Sequence, residues 1–418
     1  LIGGAVGTTG INVDAWRVQL FSPFSAFPGL VFGRVAVQSP AFPASDAAGA
    51  QRVLIGSAAG SDGENVAVRA KGELLERVHN VLAARQAEAG SVADAVIASY
   101  EMLQRAGRPA LDPLAFRDLA HCRDVRSAEL LWVTGQSLVS DRDVLVPACA
   151  AFLAHRPPSG CVAPLRPGST GTAAHHNTAE AVRHAVLEVL ERDLLWHAWY
   201  GNGARAVMAG RPPLSSQLSE GLLALDLCAT FMLLPGPAGT ACGLACLQST
   251  GRTAQTFGAR AASALDGDTL VTTLEAAVHE ALMVRWSMDS SAARIVWSRM
   301  CIEDRYSPYG PLEHALHTFH RQDSLGHLLA SSTQCTLPDP ALGQVTVPTS
   351  VTGISISRLL ADHTGEDVVA VNTTVPAVGP PGTVVVRVVA PGARRLPADE
   401  QAQPSPPQAC TRLPHPLG

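Results

Sequence analysis

The pattern Glu-x-x-Glu-Arg occurs twice in this chain, at Glu73–Arg77 and at Glu188–Arg192. Each copy sits in a run of helix formers, and each run comes after a loop of small residues. Around the second copy, Ser169–Ala174 is the loop, and Asn177 or Thr178 can cap the helix that begins there. Val182, Ala185, Val186, Val189 and Leu190 then recur at helical spacing. Glu188 and Glu191 stand three apart and share one helix face, and Arg192 is four after Glu188 and can brace it. Glu180 lies a little over two turns earlier, on a nearby face. Around the first copy, a Gly/Ser/Asp loop beginning at Gly56 leads into a helix over 65–86 that carries Glu73, Glu76 and Arg77. A third helix near Leu274–Arg285 carries Glu275, Glu280 and Arg285.

One such pattern alone reads as a solvated helix face with ion pairs four residues apart. Two copies, each behind a small-residue loop, favour a different reading. If the two helices face each other, four carboxylates converge. At an effective dielectric near 20, like charges about 4 Å apart repel by roughly 4 kcal/mol per pair. Such a cluster must take up protons or bind cations. Mg²⁺ prefers one or two carboxylates plus phosphate oxygens to an all-protein cage, so the pattern points to a magnesium–nucleotide site.

The rest of the chain sets limits. Its 418 residues are 47% apolar and 16% charged, ample for a sizeable core. A net charge of −5 gives no general attraction to nucleic acid. The most apolar stretch, 222–247, is broken by Asp226, Pro235 and Pro237, which argues against a membrane span. Nine cysteines are scattered. Cys242 and Cys246 form a C-x₃-C pair with no second pair to complete a zinc set. All nine are read as reduced, mostly buried thiols of a cytoplasmic protein, with Cys228 and Cys301 in apolar surroundings. His314, His317, His320 and His327 are read as a polar helix face or lid, because a spacing of three drifts around a helix and no carboxylate or cysteine completes a tight set. Strands are expected at 16–21, 30–37, 130–134, 144–146, 347–356, 368–371 and 384–389, and within 222–234 and 241–248. A helix is expected over 92–106, and a Pro-rich extended tail over 397–418.

Several separated segments resemble the YcaO family, ATP-using enzymes that activate peptide amides. They are AKGELLER (Ala70–Arg77), STGTAAH (Ser169–His175), EAVRHAVLEVLERD (Glu180–Asp193), the weaker HEALMVR (His279–Arg285), GEDVVAVNTT (Gly365–Thr374), VVVRVVAPG (Val384–Gly392) and the terminal LPHPLG (Leu413–Gly418). The resemblance implies one YcaO domain over 1–418, with subdivisions near 107–130 and 290–345. It implies an α+β fold in which helices bearing acidic nucleotide and magnesium motifs pack on antiparallel or mixed β-sheets.

The resemblance also implies a function, that of the cyclodehydratase component of azoline-forming peptide pathways. A Cys, Ser or Thr side chain of a ribosomal precursor peptide attacks the preceding backbone amide, the amide oxygen is phosphorylated by ATP, and a thiazoline or oxazoline remains. Glu73, Glu76, Glu188 and Glu191 are then expected to ligate Mg²⁺. Arg77, Ser169, Glu180, Arg192, Glu280 and Arg285 are expected around the nucleotide. The tail supplies the expected catalytic residues, His415 and the carboxylate of Gly418. Expected partners are the precursor peptide, a ThiF-like leader-binding protein, a flavin-dependent azoline dehydrogenase and a second copy of the chain. Thioamide or amidine formation and a non-catalytic peptide-binding scaffold are the alternatives. Three departures from the family pattern stand out: Met283 where glutamine is common, Asn372 where aspartate is frequent, and Gly418 in place of a terminal proline.

Overall fold

A computed structural model describes residues 15–42, 52–249 apart from 93, 121, 210, 211 and 213, 254–263, 267–303, 308–336 apart from 322 and 331, 355–400 and 413–417. In chain order the elements are β1 (Gln19–Phe21), β2 (Val31–Gln38), β3 (Val53–Gly60), α1 (Gly63–Glu88), β4 (Val96–Ala98), α2 (Tyr100–Arg105), β5 (Leu130–Ser137), β6 (Asp143–Pro147), α3 (Ala148–Ala151), β7 (Thr172–His175), α4 (Thr178–Tyr200) and β8 (Ala206–Ala209). Next come α5 (Ser216–Ala224), β9 (Leu227–Pro235), β10 (Ala241–Ser249), β11 (Gln255–Ala262), α6 (Gly267–Met288), α7 (Ser291–Ile302), α8 (Pro311–Arg321), α9 (Ser324–Leu329), β12 (Thr333–Thr336), α10 (Ile356–Thr364), β13 (Val369–Asn372) and β14 (Val384–Val389).

The strands form three sheets, ordered β1-β2-β3, β11-β10-β9-β8-β12 and β4-β5-β13-β14-β7, with β6 also on β5. All pairings are antiparallel except β8 with β12. Helices packed on largely antiparallel sheets make this an α+β fold. Two units share one plan, an antiparallel three-strand meander with a helix laid over its last strand: β1-β2-β3-α1 and β9-β10-β11-α6. A glycine permits the close approach in each. A Cβ on Gly56 would sit 2.1 Å from the Ala70 carbonyl oxygen, and one on Gly258 would sit 2.1 Å from that of Ala277. Only a residue without a side chain fits at either crossing.

The long helices begin where their capping residues dictate. Asp62 accepts from the Glu64 N–H at 3.0 Å, and Asn177 accepts from Ala179 at 2.8 Å and Glu180 at 3.3 Å. Helix α4 is enclosed on much of its circumference: Ala185, Val186, Leu190 and Leu194 share a core with Leu244, Phe257, Val386 and Leu417. A second core joins Leu74, Val78 and Val81 of α1 to Val35, Val375 and Val378. A third joins Leu274, Ala277 and Ala281 of α6 to Phe27 and Phe32. Full burial of each large side chain contributes about 1.5–3 kcal/mol.

Several expectations are corrected. The small-residue loop expected from Gly56 is strand β3 as far as Gly60, and only Ser61 and Asp62 separate it from α1. The helix expected over 92–106 is a strand and a short helix. Val96–Ala98 pairs with Leu130–Trp132, and Ser99 then caps α2 by accepting from Met102 N–H at 3.2 Å. The first part of 222–234 belongs to α5, and only the remainder is strand β9. The cysteines divide: Cys149, Cys242 and Cys246 are buried, whereas Cys122, Cys228 and Cys301 are exposed, so Cys228 and Cys301 do not lie in an apolar interior. Of the strand expected at 347–356, residues 347–354 lie outside the described residues, and Ile356 opens α10 behind its cap Ser355. No helix among the described residues is long and apolar enough to cross a membrane.

Candidate functional site

Each of the three sheets ends in a strand with one open edge: β3, β7 and β11. The three edges meet beside α1, α4 and α6, and the glutamates of these helices satisfy the open backbone N–H groups. Glu73 accepts from Ser57 on β3, and Glu76 from Ala174 on β7 at 3.1 Å. Glu188 accepts from Gly171, just before β7, at 3.0 Å. Glu191 accepts from Ala261 on β11 at 2.9 Å, and Glu280 from Ala259 on the same strand at 3.0 Å. The spacing of three in each Glu-x-x-Glu therefore has a geometric use. The two carboxylates diverge just enough for one helix to bridge two sheets, α1 joining β3 to β7 and α4 joining the start of β7 to β11.

The carboxylates form an electrostatic chain. Burial pushes the Glu76 carboxyl well above its usual range, and the neighbouring Glu188 charge pushes it further, against the Ala174 hydrogen bond. Burial also raises Glu188, opposed by Arg192 and the Gly171 N–H. Glu191 is 5% exposed. Burial raises it to about 7, with Glu280 and Glu188 adding to the effect and Arg192 opposing it. Burial disfavours charge on Arg192, but Glu191, Glu280 and Glu188 outweigh it and hold the guanidinium above its ordinary pKa. Its Nε lies 3.6 Å from Glu191 Oε1.

The sequence-predicted residues are thus largely brought together, though not as a compact cage. Among the described residues these glutamates supply no set of three ligand atoms within 4.8 Å of one another, because each side chain is drawn toward its own backbone N–H. The second oxygens of Glu76, Glu188 and Glu280 have no hydrogen-bond partner among the described residues. Acceptor-only, half-desolvated carboxylate oxygens suit hard divalent cations that keep some ligands from a phosphate. The donor set fits Mg²⁺ with a nucleotide.

Other expected residues sit at varying removes. Arg77 braces Glu73 and donates to the Ile55 carbonyl. Ser169 lies in the turn before β7, its carbonyl accepting from Thr172 N–H at 3.0 Å. Glu180 is in the first turn of α4, about half exposed, 3.6 Å from Arg183 and 4.0 Å from His184. Arg285 turns toward a different neighbourhood: it donates to Ser249 and its guanidinium lies 5.6 Å from the Phe319 ring centre. Met283 packs against the α6 core.

The tail returns to α4. Residues 414–417 are buried, and the Leu413 carbonyl accepts from Trp199 Nε1 at 2.7 Å. His415 is 5% exposed, and its Nε2 lies 2.9 Å from the Pro397 carbonyl. Burial, then the nearby His314, hold it well below its usual pKa, with Arg192 a smaller contribution. That enclosure makes His415 an anchor of the tail rather than a residue open to a substrate. Gly418 lies outside the described residues.

Three arginines were missed by sequence reasoning. Arg69 donates to the Ala59 carbonyl at 3.0 Å, and Glu73 and Glu280 act on it electrostatically. Its position four before Glu73 was the available signal. Arg260 stands between the two capped residues of β11, within electrostatic reach of Glu188 and Glu191. Arg387, fully enclosed and pushed down to about 10 by burial with Glu188 opposing, ties Gly168 and Thr172 together at 2.9 and 3.0 Å and so shapes the small-residue turn.

Comparisons with known proteins bear on the family and the fold. A family model described as YcaO cyclodehydratase, ATP- and Mg²⁺-binding, matches residues 57–394. An uncharacterized protein of Methanothermobacter thermautotrophicus is 40% identical over 70 residues, 17% of this chain and 18% of that protein. A heterocyclase in complex with substrate and cofactor is similar over 91% of this chain, with a TM-score of 0.60 and 16% identity. The chain spans 50% of the length of that heterocyclase. YcaO from Methanopyrus kandleri bound with AMPPCP and Mg²⁺ is similar over 90% of this chain and 86% of its own, with a TM-score of 0.56 and 16% identity. A chain of the E. coli microcin synthetase McbBCD complex with pro-MccB17 bound is similar over 91% of this chain and 90% of its own, with a TM-score of 0.60 and 14% identity.

Proposed function

The chain belongs to the YcaO family, and from that membership we propose that it is the ATP- and Mg²⁺-dependent component of a peptide cyclodehydratase that converts Cys, Ser or Thr residues of a ribosomal precursor peptide to azolines. The observation that carries the reading is the set of carboxylates Glu76, Glu188 and Glu191 at the junction of three sheet edges, all raised by burial, with Glu188 raising the other two further. Carboxylates that stay raised despite the arginines beside them gain further from a divalent cation.

In the reaction, a side-chain thiol or hydroxyl of the peptide attacks the preceding amide carbonyl carbon. The amide oxygen is a poor leaving group, and ATP supplies the phosphoryl group that lets it depart as phosphate while the carbon–nitrogen double bond forms. Glu73, Glu76, Glu188 and Glu191 would hold Mg²⁺. Arg77 braces Glu73, Arg192 lies beside Glu191, and the two guanidiniums oppose the rise that burial causes in Glu76, Glu188 and Glu191. Glu280 shares β11 with Glu191. Arg69 and Arg260 are the exposed cations nearest the cluster and suit phosphate oxygens. Arg387 fixes the turn bearing Ser169, and Glu180 stands at its rim. Arg285 is assigned a supporting place behind α6. The tail is anchored on α4 through the His415 backbone N–H to Tyr200 Oη and the Leu413 carbonyl to Trp199.

A ThiF-like leader-binding protein, a flavin-dependent dehydrogenase and a second copy of the chain are the partners this reading calls for. The McbBCD complex is an assembly with a bound peptide, and an analogous arrangement is proposed here. The test is mass spectrometry of precursor peptide incubated with the chain, its leader-binding partner and Mg–ATP. Loss of one water per ring supports azoline formation. A gain matching exchange of oxygen for sulfur supports a thioamide, and an unchanged mass supports a scaffold.

A further inference from the structure

The tail takes part in a second cluster that the carboxylate site does not use. His314 on α8, Glu400 and His415 each place one ligand-type atom within 4.8 Å of the other two, the only such trio among the described residues. His314 is fully buried and His415 is 5% exposed.

Their neighbours fix the tautomers. His314 Nδ1 is 2.9 Å from the Gly310 carbonyl, which can only accept, so Nδ1 carries a proton. Its Nε2 lies 3.1 Å from Glu400 Oε1, a pairing of two acceptors unless a second proton or a cation joins them. His415 Nε2 donates to the Pro397 carbonyl at 2.9 Å. Its Nδ1 is buried with no hydrogen-bond partner of good geometry, the Leu417 backbone having only a minor influence on the ring. Two imidazoles and a carboxylate are therefore gathered in one enclosed place. Tyr200 Oη donates to Glu400, and the His415 backbone N–H lies 3.2 Å from the same oxygen. A second proton on His314 would satisfy its pairing with Glu400 but leave His415 Nδ1 without a partner in the interior, a cost native structures seldom carry.

We propose that His314, Glu400 and His415 form a binding site for a divalent transition-metal ion of the zinc type, separate from the magnesium–nucleotide site. Two imidazoles with one carboxylate favour zinc or cobalt over magnesium. In a tetrahedral site with bonds of about 2.0–2.1 Å, neighbouring ligand atoms lie about 3.3 Å apart, close to the separation of His314 Nε2 and Glu400 Oε1. Both histidines already carry the outer hydrogen bond to a backbone carbonyl that orients metal-ligating imidazoles, and Tyr200 does the same for the carboxylate. The rings stack with centroids 4.0 Å apart, so capture of the ion fans them apart. The bound metal would cross-link α8, the segment after Pro397 and the tail that packs on the end of α4.

The test uses the full chain loaded with Co²⁺ in the presence of excess Mg²⁺ and a non-hydrolysable ATP analogue. One equivalent of Co²⁺ with visible d–d bands is expected. It should be lost in His415→Gln and in Glu400→Gln, retained in Glu191→Gln, and bound about tenfold more weakly in Tyr200→Phe. Binding that is indifferent to His415 and Glu400, or that disappears only with Glu191, overturns the proposal. X-ray absorption on the zinc-loaded wild type decides the matter even if a variant fails to fold: imidazole and oxygen ligands support the site, and an all-oxygen shell or no bound zinc refutes it. None of these outcomes depends on peptide cyclisation.

Discussion

Glu191 and Glu280 reach the same edge of β11 from two different helices, accepting from Ala261 and Ala259, two residues apart on one strand. The Glu280 charge acts directly on Glu191, and Arg192 lies within reach of both. One strand edge therefore sets the spacing between carboxylates that are 89 positions apart in the chain.

Glu191→Gln should abolish turnover while leaving the fold intact. The amide can still accept from Ala261 N–H, but it no longer provides an anionic ligand. Activity assayed by peptide mass, beside far-ultraviolet circular dichroism, checks this, and wild-type rates in the variant would remove Glu191 from the metal site.

Gly258→Ala should destabilise the protein by about 1–3 kcal/mol or more, since the new methyl would press on the Ala277 backbone and lift α6 from β11. Gly72→Ala is the contrasting case: it lies within α1 with nothing near its Cβ. That substitution should stabilise by up to about 1 kcal/mol. Denaturant midpoints of the two variants should move in opposite directions.

His79 gives an acid-side prediction. It is fully buried. Its Nδ1 accepts from Val375 N–H at 2.9 Å, and burial lowers its pKa from 6.5 to about 4. Below pH 6.5 the unfolded chain takes up a proton that the folded chain refuses until about pH 4. This group therefore makes stability fall as pH drops through that window, by up to about 3 kcal/mol. Thermal melts from pH 7 to 4 should show the slope in the wild type and a shallower one in His79→Gln. Equal slopes would place the acid sensitivity elsewhere.

Removal of residues 414–418 should slow cyclisation more than it weakens nucleotide binding, because His415 and Leu417 pack on the far end of α4 from Glu180. Cyclisation rate and nucleotide affinity measured on the same preparation decide it. Parallel losses would make the tail a packing element alone.

Local signals carried the sequence reading a long way. Asn177, the apolar spacing of α4 and the two Glu-x-x-Glu-Arg patterns all act within a few residues, and the structure keeps each of them. The failures are non-local. Val96–Ala98 has helical neighbours, yet it gains more from pairing with Leu130–Trp132. Arg260 joins the site only because β11 runs beside α4. His314 looked unsupported because its carboxylate, Glu400, lies 86 positions further along. Arg285 shows the opposite limit: sharing a helix with Glu280 did not place it on the same face.

An open strand edge is an invitation to another strand, and proteins usually blunt it with charge, proline or a covering loop. Here the covers are Glu73, Glu76, Glu188, Glu191 and Glu280 themselves. Selection for solubility and selection for chemistry thus fall on the same five side chains. Apolar replacements among them should leave the protein prone to self-association as well as inactive, whereas glutamine, which can still cap the N–H, would separate the two defects.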